Sequence, residues 1–182
     1  MKRLLATALL LWGCDDAKDE GQQPPSSTGS TTLTPGCVPN YDCDPQAPDT
    51  NDFAADCVAR VNQFRACVCL PPLERATDAE ACVNQQAEYD ASNGAHAGFL
   101  ANLCQPRASA QNECPGWGGA KEVVSGCIRQ MFTEGPPPTA DCTGDCYTQH
   151  GHFINMTNTR YTKLACGIFS NQSETWSAQN FF

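Results

Sequence analysis

The spacing of apolar residues changes several times along this chain, and each change marks an element. Phe53, Cys57, Val61, Phe64 and Cys67 recur every three or four residues, which predicts a helix over 52–66 with Asn51 or Asp52 as its cap. Leu70-Pro71-Pro72-Leu73 ends it, because proline removes a donor and restricts the residue before it. Thr77-Asp78-Ala79-Glu80 reads as a capping box for a second helix, with Ala79, Cys82, Val83, Gln86 and Ala87 on one face and a stop at Asn93-Gly94. Val123, Val124, Cys127, Ile128, Met131 and Phe132 form one stripe of a third helix over 120–134. Gly135 and three prolines close it.

The last third reads differently. In His150–Phe169, apolar and polar residues alternate loosely around Asn158-Thr159, and the reading is two strands of an antiparallel hairpin. His150 and His152 would then project from one face. Trp176–Phe182 alternates as a closing strand. These elements make the chain an α+β protein.

The ends are of another kind. Met1–Cys14 has a basic start, an apolar run and a Gly-Cys finish, and falls short of the ~20 residues a membrane helix needs. It reads as a lipoprotein-type export signal in which Cys14 becomes the lipidated first residue. Residues 15–36 are polar and rich in Gly, Pro, Ser and Thr, as expected of a disordered spacer. That leaves 37–182 as one domain.

Cysteine content sharpens this picture. The chain has 13 cysteines; setting Cys14 aside leaves an even number, which predicts up to six disulfides in an oxidising compartment. A thiolate zinc site at Cys67-x-Cys69 or Cys142-x3-Cys146 is the rival reading, and export favours bridges. The net charge of −9 and the lack of a Lys/Arg cluster beyond Lys2-Arg3 argue against nucleic acid and against charge-driven membrane binding. A nucleophile-elbow serine is also missing.

Several of these stretches, in this order, resemble the CAP superfamily of cysteine-rich secretory proteins, antigen 5 and pathogenesis-related 1 proteins. The resemblance rests on Asn62–Ala66 with Leu70–Leu73, on Ser109-Ala110-Gln111-Asn112, on Gly151-His152-Phe153, and on Leu164-Ala165-Cys166-Gly167. It implies an α-β-α sandwich, disulfide-rich, with a small and mostly antiparallel sheet between helical layers. It also implies a cavity holding two histidines and two acids. Carried onto this chain, those positions are His96, His152, Glu134 and, where the family has an acid, Gln111. Glu113, two residues on, would share Gln111's face on a strand. His150 is an additional, accessory candidate.

Two imidazoles and a carboxylate form a zinc-type ligand set with an open position, so His96, Glu134 and His152 are the candidate metal ligands and zinc the candidate cofactor. The amide of Gln111 can orient water but cannot take its proton. The resulting expectation is an exported, monomeric envelope protein, tethered by lipid, whose non-catalytic domain binds a metal ion or a small or lipid ligand. The alternatives are a metal-assisted hydrolase and a structural or adhesive protein with a vestigial cavity.

Overall fold

The computed structural model describes residues 34–182. The expectations for the leader, for Cys14 and for most of the spacer lie outside the described residues.

Helix α1 spans Phe53–Cys67 and starts where its sequence predicts: the Asp52 carboxylate accepts the Ala55 N–H at 3.1 Å. The Pro-Pro turn after it is pinned by Asn62, whose side chain accepts the Leu73 N–H at 2.7 Å and donates to the Leu73 carbonyl at 2.9 Å. Strand β1 (Glu74–Arg75) follows, and then α2 (Glu80–Asn93). The capping box does not form: the N-cap is Ala79, without a side-chain bond. Glu80 is drawn instead to Arg75, which bridges to Asp52 as well, so the charges tie the starts of α1 and α2 together.

After α2 come the single turn α3 (Ala97–Leu100), the strand β2 (Ala110–Trp117), and a continuous helical run of α4 (Ala120–Glu122), a π turn at Val123–Cys127, and α5 (Ile128–Thr133). The Trp117 ring lies against Gly126 in the π turn, where a Cβ would come within 2.6 Å of it. The last elements are α6 (Asp145–Thr157), β3 (Lys163–Ser170) and β4 (Thr175–Phe181).

Helix α6 corrects the hairpin expected over His150–Phe169. Its first half is helical, and only the stretch from Lys163 onward is strand. The residues explain why. Gly151, His152, Asn155 and Met156 have little preference for a pleated surface, and the buried Phe153 and Met156 stand three apart, which is a helical repeat. On a helix, positions two apart diverge by about 200°, so His150 and His152 do not share a face.

The sheet order is β1-β3-β4-β2; β1 runs parallel to β3, and the other pairs are antiparallel. One face packs Leu164, Cys166, Phe181, Ala110 and Cys114 against Phe64, Ile128, Phe132, Phe153 and Met156 from α1, α5 and α6. The other face packs Ala165 and Ala178 against Val83 and Ala87 of α2. This is the expected sandwich. Gly167 sets the spacing on the α2 side, since a Cβ there would lie 2.3 Å from the Val83 backbone.

Six disulfides join 37 to 69, 43 to 67, 57 to 166, 82 to 104, 114 to 127 and 142 to 146. All twelve cysteines after Cys14 are therefore paired, which removes the thiolate zinc reading. Among the described residues, no helix is long and apolar enough to cross a membrane.

Candidate functional site

Strand β2 lies at the edge of the sheet, and its pleat divides it chemically. Ala110 and Cys114 face the main core, while Gln111 and Glu113 turn toward α2. Helix α6 covers the open edge. Asn155 donates to the Asn112 side chain at 2.9 Å and approaches the Gln111 carbonyl at 3.5 Å, while Asn112 donates to the His152 carbonyl at 3.1 Å. Groups that an edge strand would otherwise leave open are thus used to seat a helix.

Between this edge, α3 and α6 is a cavity of about 330 Å³, lined by His96, Phe99, Leu100, Gln111, Tyr147, Thr148, Gly151, His152 and Asn155. His96 stands in the left-handed region, with φ 64°, at the turn where α2 gives way to α3. Its N–H donates to Glu113 at 2.6 Å, and its ring Nδ1 meets the Gln111 amide oxygen at 2.9 Å. The tautomer follows from the next bonds. Gln111 Nε2 donates to Asn180 at 3.0 Å and to Gln86 at 3.3 Å, which turns its oxygen toward His96. His96 must therefore donate from Nδ1, and its Nε2 is left as an acceptor.

His152 is set up in the same way from the other wall. Glu134, at the end of α5, accepts its ring Nδ1 at 2.5 Å and its backbone N–H at 3.0 Å, as well as the Phe153 N–H at 3.2 Å. A carboxylate behind Nδ1 fixes the ring and leaves Nε2 as the free acceptor. So the structure brings His96, His152 and Gln111 to one cavity and sets Glu134 behind His152, outside the lining. His150 turns away; its Nδ1 donates to the Gly135 carbonyl at 3.0 Å.

Beneath His96 lies an acid pair. Asp90 and Glu113 are both buried, and Asp90 Oδ1 accepts the Gly98 N–H at 2.5 Å. Burial, reinforced by the hydrogen bond to the Asp90 carboxyl, pushes Glu113 up to about 9. Glu113 therefore keeps its proton at neutral pH, facing Asp90. The pair fastens the backbone of the His96 turn through His96 N–H and Gly98 N–H.

Sequence reasoning did not single out Asp90, Tyr147, Thr148, Phe99 or Asn155. Asn155 was within reach: read as helix, it falls one turn after His152 on the same side.

Residues 58–181 match the cysteine-rich secretory protein family, CAP. The chain belongs to this family. No curated protein matches its sequence closely. Membership agrees with the α+β fold and its disulfides. Gln111 meets the ring of His96 at 2.9 Å, while Glu113 binds that residue's backbone N–H at 2.6 Å and stays 4.0 Å from the ring Nδ1. Among the described residues, no group of three or more His, Cys, Asp or Glu side chains is arranged to hold a metal ion. The cavity residues with nitrogen donors that could face an ion are His96 and His152, and imidazole is a ligand suited to borderline ions such as zinc or copper.

Proposed function

We propose that this CAP domain is an exported, non-catalytic binding module that takes up a divalent ion between Nε2 of His96 and Nε2 of His152. The observation that carries the reading is the matched use of Nδ1: Gln111 holds one ring and Glu134 the other, and both rings line one cavity. Glu134 acts from behind, orienting the ring of His152 and fixing its tautomer, in place of the direct ligand role expected of it. Two imidazoles without a protein carboxylate make a weak, exchangeable site whose open positions admit a ligand.

The non-catalytic reading rests on the lack of a free base beside such an ion. Gln111 cannot accept a proton, Glu134 already accepts three donors, and Glu113 is protonated in the interior. The apolar wall of Phe99, Leu100 and Tyr147 favours a ligand with an apolar part. Tethering through lipid on Cys14 completes the proposal, on the strength of the leader pattern and the odd cysteine count.

Calorimetric titration of the purified domain with Zn²⁺, and with Co²⁺ as a coloured probe, tests the site. The wild type and His150→Ala should bind alike, while His96→Ala and His152→Ala should each lose binding. Equal affinity in His152→Ala would end the metal reading. The anchor is tested separately: Cys14→Ser should abolish fatty-acid labelling and release the protein.

A further inference from the structure

Helix α6 is held unevenly. From His152 onward it is bolted from three sides: Glu134 takes two of its N–H groups, Asn112 binds its side chain and backbone, and Arg65 donates to the Met156 and Asn158 carbonyls at 2.8 and 3.0 Å. Its first two turns supply Tyr147 and Thr148 to the cavity wall and have far fewer ties. Their start at Gly144 has no side-chain cap, and Thr148 bonds only back to Gly144. Tyr147 reaches Asn155 within the same helix at 3.4 Å. This end is tied by the His150 bond to Gly135 and, through the Cys142–Cys146 bridge, to the buried Cys142 of the preceding loop.

We propose that Cys142–Cys146 is a thiol-sensitive latch on the cavity wall, opened by a dithiol reductant while the rest of the domain stays folded. Cys142 is buried, but Cys146 is partly exposed and follows the exposed stretch 143–145. A thiolate of the reductant attacks Cys146 Sγ, forming a mixed disulfide, and the Cys142 thiolate leaves and takes up a proton. The second thiol of the reductant, deprotonated, then attacks its own mixed-disulfide sulfur and displaces Cys146. The reductant departs as a disulfide, and its two electrons remain on the cysteine pair.

The fold tolerates this opening because the bridge spans only 4 residues of sequence, against 109 for Cys57–Cys166. A short loop restrains the unfolded chain least, so its loss weakens the fold least. Opening leaves the His152 end bolted and frees the Tyr147 end, which widens access to the cavity without dismantling it. The inference rests on the geometry of the cavity and not on what fills it.

Titration of the native protein with dithiothreitol, followed by alkylation, peptide mapping and amide hydrogen exchange, tests the latch. The expected product has Cys142 and Cys146 alkylated, Cys57–Cys166 and Cys114–Cys127 intact, and a cooperative thermal transition. In that product, amides of 148–150, the first with helical acceptors, should exchange at least ~10-fold faster while those of 152–157 keep their protection. The doubly substituted Cys142→Ser/Cys146→Ser protein should show the same exchange pattern without reductant. If Cys142–Cys146 opens only together with the core bridges, or if exchange in 148–150 does not change, the latch is disproved. Metal titration of the oxidised protein is independent of both outcomes.

Discussion

Glu134 and His152 are joined twice, ring to carboxylate at 2.5 Å and backbone N–H to carboxylate at 3.0 Å, so the acid fixes both where the residue sits and how its ring is turned. Glu134→Gln keeps an acceptor but removes the charge that makes Nε2 a better donor to metal. Zn²⁺ affinity should fall by about 10–100-fold, with a smaller effect on the melting temperature. Calorimetry and thermal denaturation of the same variant separate the two effects. Unchanged affinity would mean that the ring needs no help from its acid.

The Asp90–Glu113 pair gives the fold a pH dependence of definite sign. The Glu113 carboxyl is raised from 4.5 in the unfolded chain to about 9 in the folded protein, chiefly by burial and then by Asp90. Between those values the native state binds more protons than the unfolded state, so stability is fullest below pH 4.5 as far as this group is concerned. It then falls as pH rises to about 9, with a slope of at most about 1.4 kcal/mol per pH unit. Glu113→Gln supplies a permanent donor to Asp90 and keeps an acceptor for the His96 N–H. Urea unfolding across pH 5–9 should therefore show a flatter profile in the variant, and an equal slope in both proteins would mean that Glu113 does not hold its proton in the fold.

These two acids also show where reading the sequence succeeds and where it stops. The α1 stripe, the Pro-Pro turn, the closing strand and the pairing of cysteines are local or arithmetic, and each was legible. The capping box at Thr77–Glu80 was legible and wrong, because Arg75 offers Glu80 a charged partner that outweighs a backbone donor. The part of α6 from His150 onward reads as strand because its apolar residues are too few to fix a period, and its seat on the β2 edge depends on Asn112 and Asn155, 43 residues apart. The division of labour between Gln111 and Glu113 follows from the pleat of β2 and the buried Asp90, which no local pattern encodes.

Gly167 belongs to the Leu164–Gly167 motif, and the structure supplies its reason. A methyl at this position would press on the Val83 and Asn84 backbone at 2.3–2.5 Å, where no side-chain rotation relieves it. Gly167→Ala should destabilise the domain by about 3 kcal/mol, at the upper end of ordinary overpacking, because α2 must lift from β3. Urea denaturation gives the value. Gly94→Ala is a useful contrast, since a Cβ there meets nothing within 4 Å and only the left-handed φ of 96° opposes it.

Arg65 is the remaining link between the core and the site. It is 1 % exposed and makes no salt bridge among the described residues; its guanidinium donates to the carbonyls of Pro71, Met156 and Asn158. Two of these acceptors lie at the end of α6, where the carbonyls left over by the helix gather negative charge, so a buried cation is stabilised there without a carboxylate. Arg65→Met keeps the aliphatic volume and strands all three carbonyls, which should cost about 3 kcal/mol or more. Arg65→Lys keeps the charge but lacks the planar fork that serves Pro71 and α6 together, so it should restore only part of the loss. Because the same end of α6 carries His152, both variants should lose hydrogen-exchange protection across 152–157 before the sheet does. If protection there matched the wild type at equal overall stability, Arg65 would be a core residue with no part in seating the helix.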